Sequence, residues 1–122
     1  MKKTLMLAIS MLALALLVTT FTVVPVAGAA AAGLDGKAIF MAQKCNQCHA
    51  VSSVGIEAKV QSEKMKGPDL AGGLEKEDAA TLNSYLKKQS KINDKLHKVD
   101  FKGTDEELSA VIEWLKQQKK PA

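Results

Sequence analysis

The segment KCNQCHA, residues 44–50, holds both cysteines of the chain, Cys45 and Cys48, with His49 directly after the second. A Cys-x-x-Cys pair admits a zinc site, a redox dithiol, a local disulfide or covalent attachment of haem. Zinc needs four ligands, and Cys45, Cys48, His49 and His97 reach that number, although adjacent Cys48 and His49 are awkwardly spaced for one tetrahedral ion. A thioredoxin-type dithiol belongs in a βαβ context. A disulfide across two intervening residues closes a very small loop, removes little unfolded-state entropy, and leaves His49 unexplained. Covalent haem employs all three side chains. Each thiol adds across one porphyrin vinyl group as a thioether, and the next residue offers its imidazole to the iron. Cys-x-x-Cys-His is the haem-attachment signature.

The elements that must position this motif read as helical. GLDGKAIFMAQKCNQCH predicts a helix with Asp35 as its cap and Ala38, Phe40, Met41 and Ala42 as apolar contacts. The stretch from Ala50 to Gly73 is rich in small and polar residues and carries the breaks Gly67-Pro68 and Gly72-Gly73, so it reads as loop. EKEDAATLNSYLKKQS places Ala79, Leu82, Tyr85 and Leu86 at helical spacing, with acids early and lysines late, as the helix dipole favours. KINDKLHKVDFKG is loop-like. TDEELSAVIEWLKQQKK is the clearest helix: Thr104 and Glu107 form a capping box, and Leu108, Val111, Ile112 and Leu115 make one stripe. No run sustains strand alternation. The fold class expected is all-α.

The first residues have a different character. Lys2 and Lys3 precede an apolar run of 14 residues, Leu5 to Val18, followed by the small-residue zone VPVAGAAAAG. That layout is a secretory signal peptide over residues 1–29, cut near Ala27-Gly28-Ala29; an uncleaved membrane anchor is the competing reading, weakened by Thr19, Thr20, Thr22 and Pro25. The remaining domain, residues 30–122, is small enough to benefit from a cofactor as part of its core. Without Lys2 and Lys3 it carries 15 lysines against 13 acids, a net of +2, and it has no arginine. So weak a net charge does not point to nucleic acid or to general membrane binding. Lys87, Lys88, Lys91, Lys95, Lys98 and Lys102 nevertheless gather around Asp94 and Asp100, as a solvated face or as a docking patch for an acidic partner.

On DGKAIFMAQKCNQCHA, GPDLAG and FKGTDEELSAVIEWLKQQ the chain resembles the class I cytochrome c family, from about Leu34 to Gln118. The resemblance implies a small helical domain wrapped around one haem c, covalently attached through Cys45 and Cys48 with His49 on the iron. It implies that the first and last helices cross at Gly36 and Phe40, facing Leu108, Ile112 and Leu115. It also implies that the Pro68 carbonyl accepts a hydrogen bond from Nδ1 of His49, which orients that ring.

The family's sixth ligand, a methionine ahead of the last helix, has no counterpart here. Met41 and Met65 are the methionines outside the leader, and both precede that loop. Met41 is expected to pack on the first helix and Met65 to stand on the proximal flank. His97 occupies the place of the missing methionine, so bis-histidine ligation by His49 and His97 is expected. An open or water-bound position, Met65 or a lysine are the alternatives.

The motif, the leader and the resemblance together imply an exported, periplasmic-type monohaem electron carrier, a monomer acting between redox partner proteins and not an enzyme. A haem-based small-ligand binder with a displaceable distal residue is the alternative. The segment Val51–Lys66 is longer than a minimal haem-binding domain needs, and the sequence offers no reason for it.

Overall fold

The computed structural model describes residues 33–122; the signal peptide expected over residues 1–29 lies outside them. Three α-helices carry the fold: α1, Gly36–Ala42; α2, Ala79–Leu86; and α3, Asp105–Lys116. Two short 3-10 turns, Cys45–Gln47 and Ser52–Val54, follow α1. Among the described residues there is no strand, only two isolated antiparallel bridges, Val51 with Ile56 and Ile92 with Lys95. The all-α expectation stands. No helix of the described residues is long and apolar enough to cross a membrane.

Each helix begins where a side chain meets its free amides. The Asp35 carboxylate accepts from the Lys37 and Ala38 amides at the start of α1. Asp78 does the same for Thr81 in α2. Thr104 and Glu107 close the expected capping box of α3, with Asp105, Glu106 and Glu107 in its first turn and Lys116 in its last. Such caps satisfy donors the helix itself leaves free, and the charges oppose the helix dipole favourably.

Two helices are shorter than their sequence patterns suggest. The expected helix through His49 stops at Ala42, because Lys44 takes a left-handed conformation with φ 58° and turns the chain. The pattern around α2 extends over Glu75 and Glu77, but these acids precede the Asp78 cap.

Helix α1 crosses α3 at Gly36, where a Cβ would collide with the Ala110 carbonyl and with Cβ of Trp114. Phe40 lies one turn on and packs against Trp114, ring centroids 5.4 Å apart at 55°. The partners of α1 differ from the expected set. Phe40, Val51, Ile56, Ala71, Val111 and Leu115 form one buried cluster, whereas Leu108 and Ile112 pack with Leu82 of α2 in a second. The stripe on α3 therefore serves two neighbours, with Leu74 and Phe101 packed against both clusters. Met41, expected to pack, is 41% exposed on the outer side of α1.

Candidate functional site

The Cys-x-x-Cys-His segment is wound into a tight turn directly after α1. The amides of Cys48 and His49 both donate to the Cys45 carbonyl, at 3.2 and 3.0 Å. Both cysteines are half-buried free thiols. Burial pushes the Cys45 thiol up to about 11, against a smaller opposing effect of a backbone hydrogen bond. Burial thus favours the neutral thiol over the thiolate. Among the described residues no three His, Cys, Asp or Glu side chains assemble into a metal-holding group, so the four candidate zinc ligands do not converge.

His49 leaves this turn against a flat backbone surface made by Gly67. The Gly67 amide donates to the Cys48 carbonyl at 2.8 Å, and a Cβ on Gly67 would stand 2.5 Å from Nδ1 and 2.8 Å from Nε2 of His49. Only a glycine allows the ring to lie there. The next residue supplies the ring's partner, since Nδ1 of His49 lies 2.9 Å from the Pro68 carbonyl. Nδ1 donates in this bond, and Nε2 is left with its lone pair. Burial, the largest influence, lowers the pKa of His49; the Pro68 bond raises it and nearby His97 lowers it. The net direction favours the neutral imidazole, the form that ligates metals. Sequence reasoning placed Pro68 here but read Gly67 only as a turn signal.

The second histidine arrives on a hairpin. Ile92 and Lys95 exchange hydrogen bonds of 3.0 and 3.1 Å around Asn93 and Asp94, both left-handed at φ 51° and 60°. Two left-handed central residues make the two-residue turn that suits a tight reversal, and Asn-Asp tolerates it. His97 follows two residues later. Its Nδ1 donates to the Val99 carbonyl, and Tyr85 of α2 meets the ring edge-to-face at 5.3 Å and 70°. Neither contact was visible in the sequence.

The fold brings the two imidazoles together with their ring centroids 6.1 Å apart and their planes within 11° of parallel. Two histidines that bind one ion from opposite sides need this spacing. Metal–nitrogen bonds of about 2 Å, and about 1 Å more from each nitrogen to its ring centre, separate the centroids by about 6 Å. Both rings spend Nδ1 on a backbone carbonyl, which fixes the tautomer and keeps Nε2 for a metal. Around His97 lie apolar side chains that burial does not account for: Leu96 is 45% and Val99 59% exposed. Met65, 49% exposed, brings its sulfur to 4.0 Å from Nζ of Lys98. Its sulfur thus meets the loop of His97, while its backbone stands two residues before Gly67, which lies against His49. A flat apolar macrocycle between two imidazoles suits these surroundings, and the cysteines sit beside one of the two rings.

The six lysines do not form one uniform patch. Lys87 pairs with Asp105 at 2.6 Å, Lys102 pairs with Asp100 at 3.0 Å, and Lys98 donates to the Lys64 carbonyl at 2.6 Å. Lys88, Lys91 and Lys95 are exposed and make no ion pair among the described residues. A family model described as Cytochrome c matches residues 34–119. No curated protein gives a significant match to the chain.

Proposed function

The chain belongs to the cytochrome c family, and from that premise we propose that it is an exported monohaem electron carrier with its iron held between His49 and His97. Membership brings one covalently bound haem c, and Cys45 and Cys48 fit its attachment motif. When bound, the haem supplies an iron that alternates between ferric and ferrous, one electron at a time.

The observation that carries the ligation is the pair of near-parallel imidazoles 6.1 Å apart. His49 is oriented by Pro68 and seated on Gly67, while His97 is oriented by Val99 and Tyr85. With His49 and His97 both holding the iron, the protein would leave no place on it for a substrate. The chain then moves electrons and transforms nothing, in keeping with a family composed in general of electron carriers. Imidazole in place of the methionine that raises potential in this family sets a lower potential. Residues 1–29 act as the export signal, and the mature domain works as a monomer outside the cytoplasm. The exposed Lys88, Lys91 and Lys95 offer positive charge to an acidic redox partner.

The test is the absorption spectrum of the haem-loaded protein, oxidised and reduced, with carbon monoxide then mixed into the reduced form. The expected outcome is a low-spin spectrum in both states, without the far-red band of ferric methionine ligation, that resists carbon monoxide over the time of mixing. His97→Ala is expected to be high-spin and to bind carbon monoxide at once. A wild-type spectrum that is already high-spin, or immediate carbon monoxide binding, assigns the protein to small-ligand binding instead.

A further inference from the structure

The segment 57–66 has no part in the ligation just described, yet it is hydrogen-bonded at both ends. At one end the Lys59 amide donates to the Asn46 carbonyl at 3.0 Å and the Val60 amide to the Gln47 carbonyl at 2.9 Å. These acceptors lie between the two cysteines. At the other end the chain turns at Ser62, whose carbonyl accepts from the Met65 and Lys66 amides, both at 3.0 Å. Within that turn the Lys64 carbonyl accepts from Nζ of Lys98 at 2.6 Å. Lys98 is the residue directly after His97. One short segment thus ties the backbone that carries the cysteines to the backbone that carries the second histidine.

We propose that Lys98 is a positioning residue, a clasp that holds the His97 loop to the haem-attachment turn through the Lys64 carbonyl and so keeps His97 on the iron. This deepens the bis-histidine reading and rests on it. The loop needs such a clasp because burial does little to hold it. Asn93, Asp94, Lys95, Leu96, Lys98 and Val99 are all exposed. Segments with few buried contacts open locally at low free energy. The other restraints on the loop are the hairpin bonds of Ile92 and Lys95, the His97–Val99 bond, the Tyr85 contact with His97 and the bond from the Phe101 amide to the Leu86 carbonyl, and they tie it to itself and to α2. None of these reaches the side of the molecule that carries the cysteines. The Lys98–Lys64 bond does. The clasp also gives the long segment a purpose, since it is this segment that brings the Lys64 carbonyl to Lys98.

The test is the rate of carbon monoxide binding to the ferrous holoprotein in Lys98→Met, which keeps the apolar stem and loses the donor. Carbon monoxide is uncharged, so removing a positive charge does not alter its approach. Once His97 must leave first, the binding rate reports how often it does. The clasp predicts a rate roughly two- to tenfold above wild type, the worth of one net hydrogen bond. Lys98→Arg, which still donates, is expected to stay near wild type. Faster hydrogen exchange at the Lys59 and Val60 amides in Lys98→Met is the readout independent of the iron. Equal carbon monoxide rates in Lys98→Met and wild type, with His97→Ala high-spin, overturn the clasp and leave the ligation standing. A faster rate matched by an equal loss of global stability also overturns it, by reducing Lys98 to a structural contact. Should His97→Ala remain low-spin, the ligation and the clasp fall together.

Discussion

At the scale of single residues, the site depends on small groups that permit close approach. His49 can lie where it does because Gly67 has no side chain, and Pro68 can orient it because Gly67 brings that carbonyl within 2.9 Å. Gly67→Ala is therefore expected to push the imidazole off its seat. Overpacking of this kind costs about 1–3 kcal/mol. The measurement is denaturant unfolding of the holoprotein together with its spectrum: a lower midpoint with a growing high-spin fraction is expected. An unchanged spectrum would show that the ring tolerates the methyl group. Cys45, Cys48 and His49 were legible in the sequence because their chemistry is fixed by residue type and spacing. Gly67 was legible only as a break, since the clash it avoids is with a residue far from it along the chain.

At the scale of elements, short helices are held by caps and by turns that carry their own internal bonds. The turn after Pro68 is organised by Asp69. One carboxylate oxygen accepts from the Ser52 amide at 3.1 Å and the Ala71 amide at 3.0 Å, joining the proximal loop to the turn at Ser52–Val54. Hydrogen bonding from Ser52, the largest influence, and then from Ala71 holds the Asp69 carboxyl below its ordinary value. A carboxyl more acidic in the folded than in the unfolded protein contributes stability above its unfolded pKa. That contribution is lost as the pH falls from there through the folded value. Wild type is thus expected to be more stable than Asp69→Asn at neutral pH. The gap should narrow once the pH drops below about 4, the ordinary range of an aspartate. Unfolding midpoints of both proteins from pH 7 to pH 3 check this, and a gap independent of pH would rule it out. The early stop of α1 belongs to the same scale. Helical propensity ran on through the cysteines, but a left-handed Lys44 turns the chain so that the cysteines and His49 occupy a tighter turn.

For the whole molecule, the lysines divide into those used by the fold and those open to a partner. Lys87 and Lys102 are engaged in ion pairs and Lys98 in the clasp, which leaves Lys88, Lys91 and Lys95 exposed. Exposed charge contributes little to stability but accelerates encounter with an oppositely charged partner. Replacing Lys88, Lys91 and Lys95 together by glutamine should leave the unfolding midpoint nearly unchanged. It should slow electron exchange with an acidic acceptor and flatten the dependence of that rate on ionic strength. A rate that keeps its full salt dependence in the triple variant would move the docking surface elsewhere.

The sequence by itself determined the chemistry and the class of fold. Cys-x-x-Cys-His names haem attachment, helical spacing and caps mark three helices, and the lack of a second-half methionine leaves His97 as the strong neutral ligand ahead of α3. These are local properties, read from neighbours along the chain. Only the tertiary structure decided which surfaces meet: that Leu108 and Ile112 turn to α2 instead of α1, that Met65 comes to the His97 loop, and that residues 57–66 bridge the two sides of the site. It alone set the two imidazoles 6.1 Å apart. The physical reason is separation along the chain. His49 and His97 are brought together by the crossing of α1 on α3 and by the hairpin at Asn93-Asp94, and neither the crossing nor the distance it produces is written in any single segment.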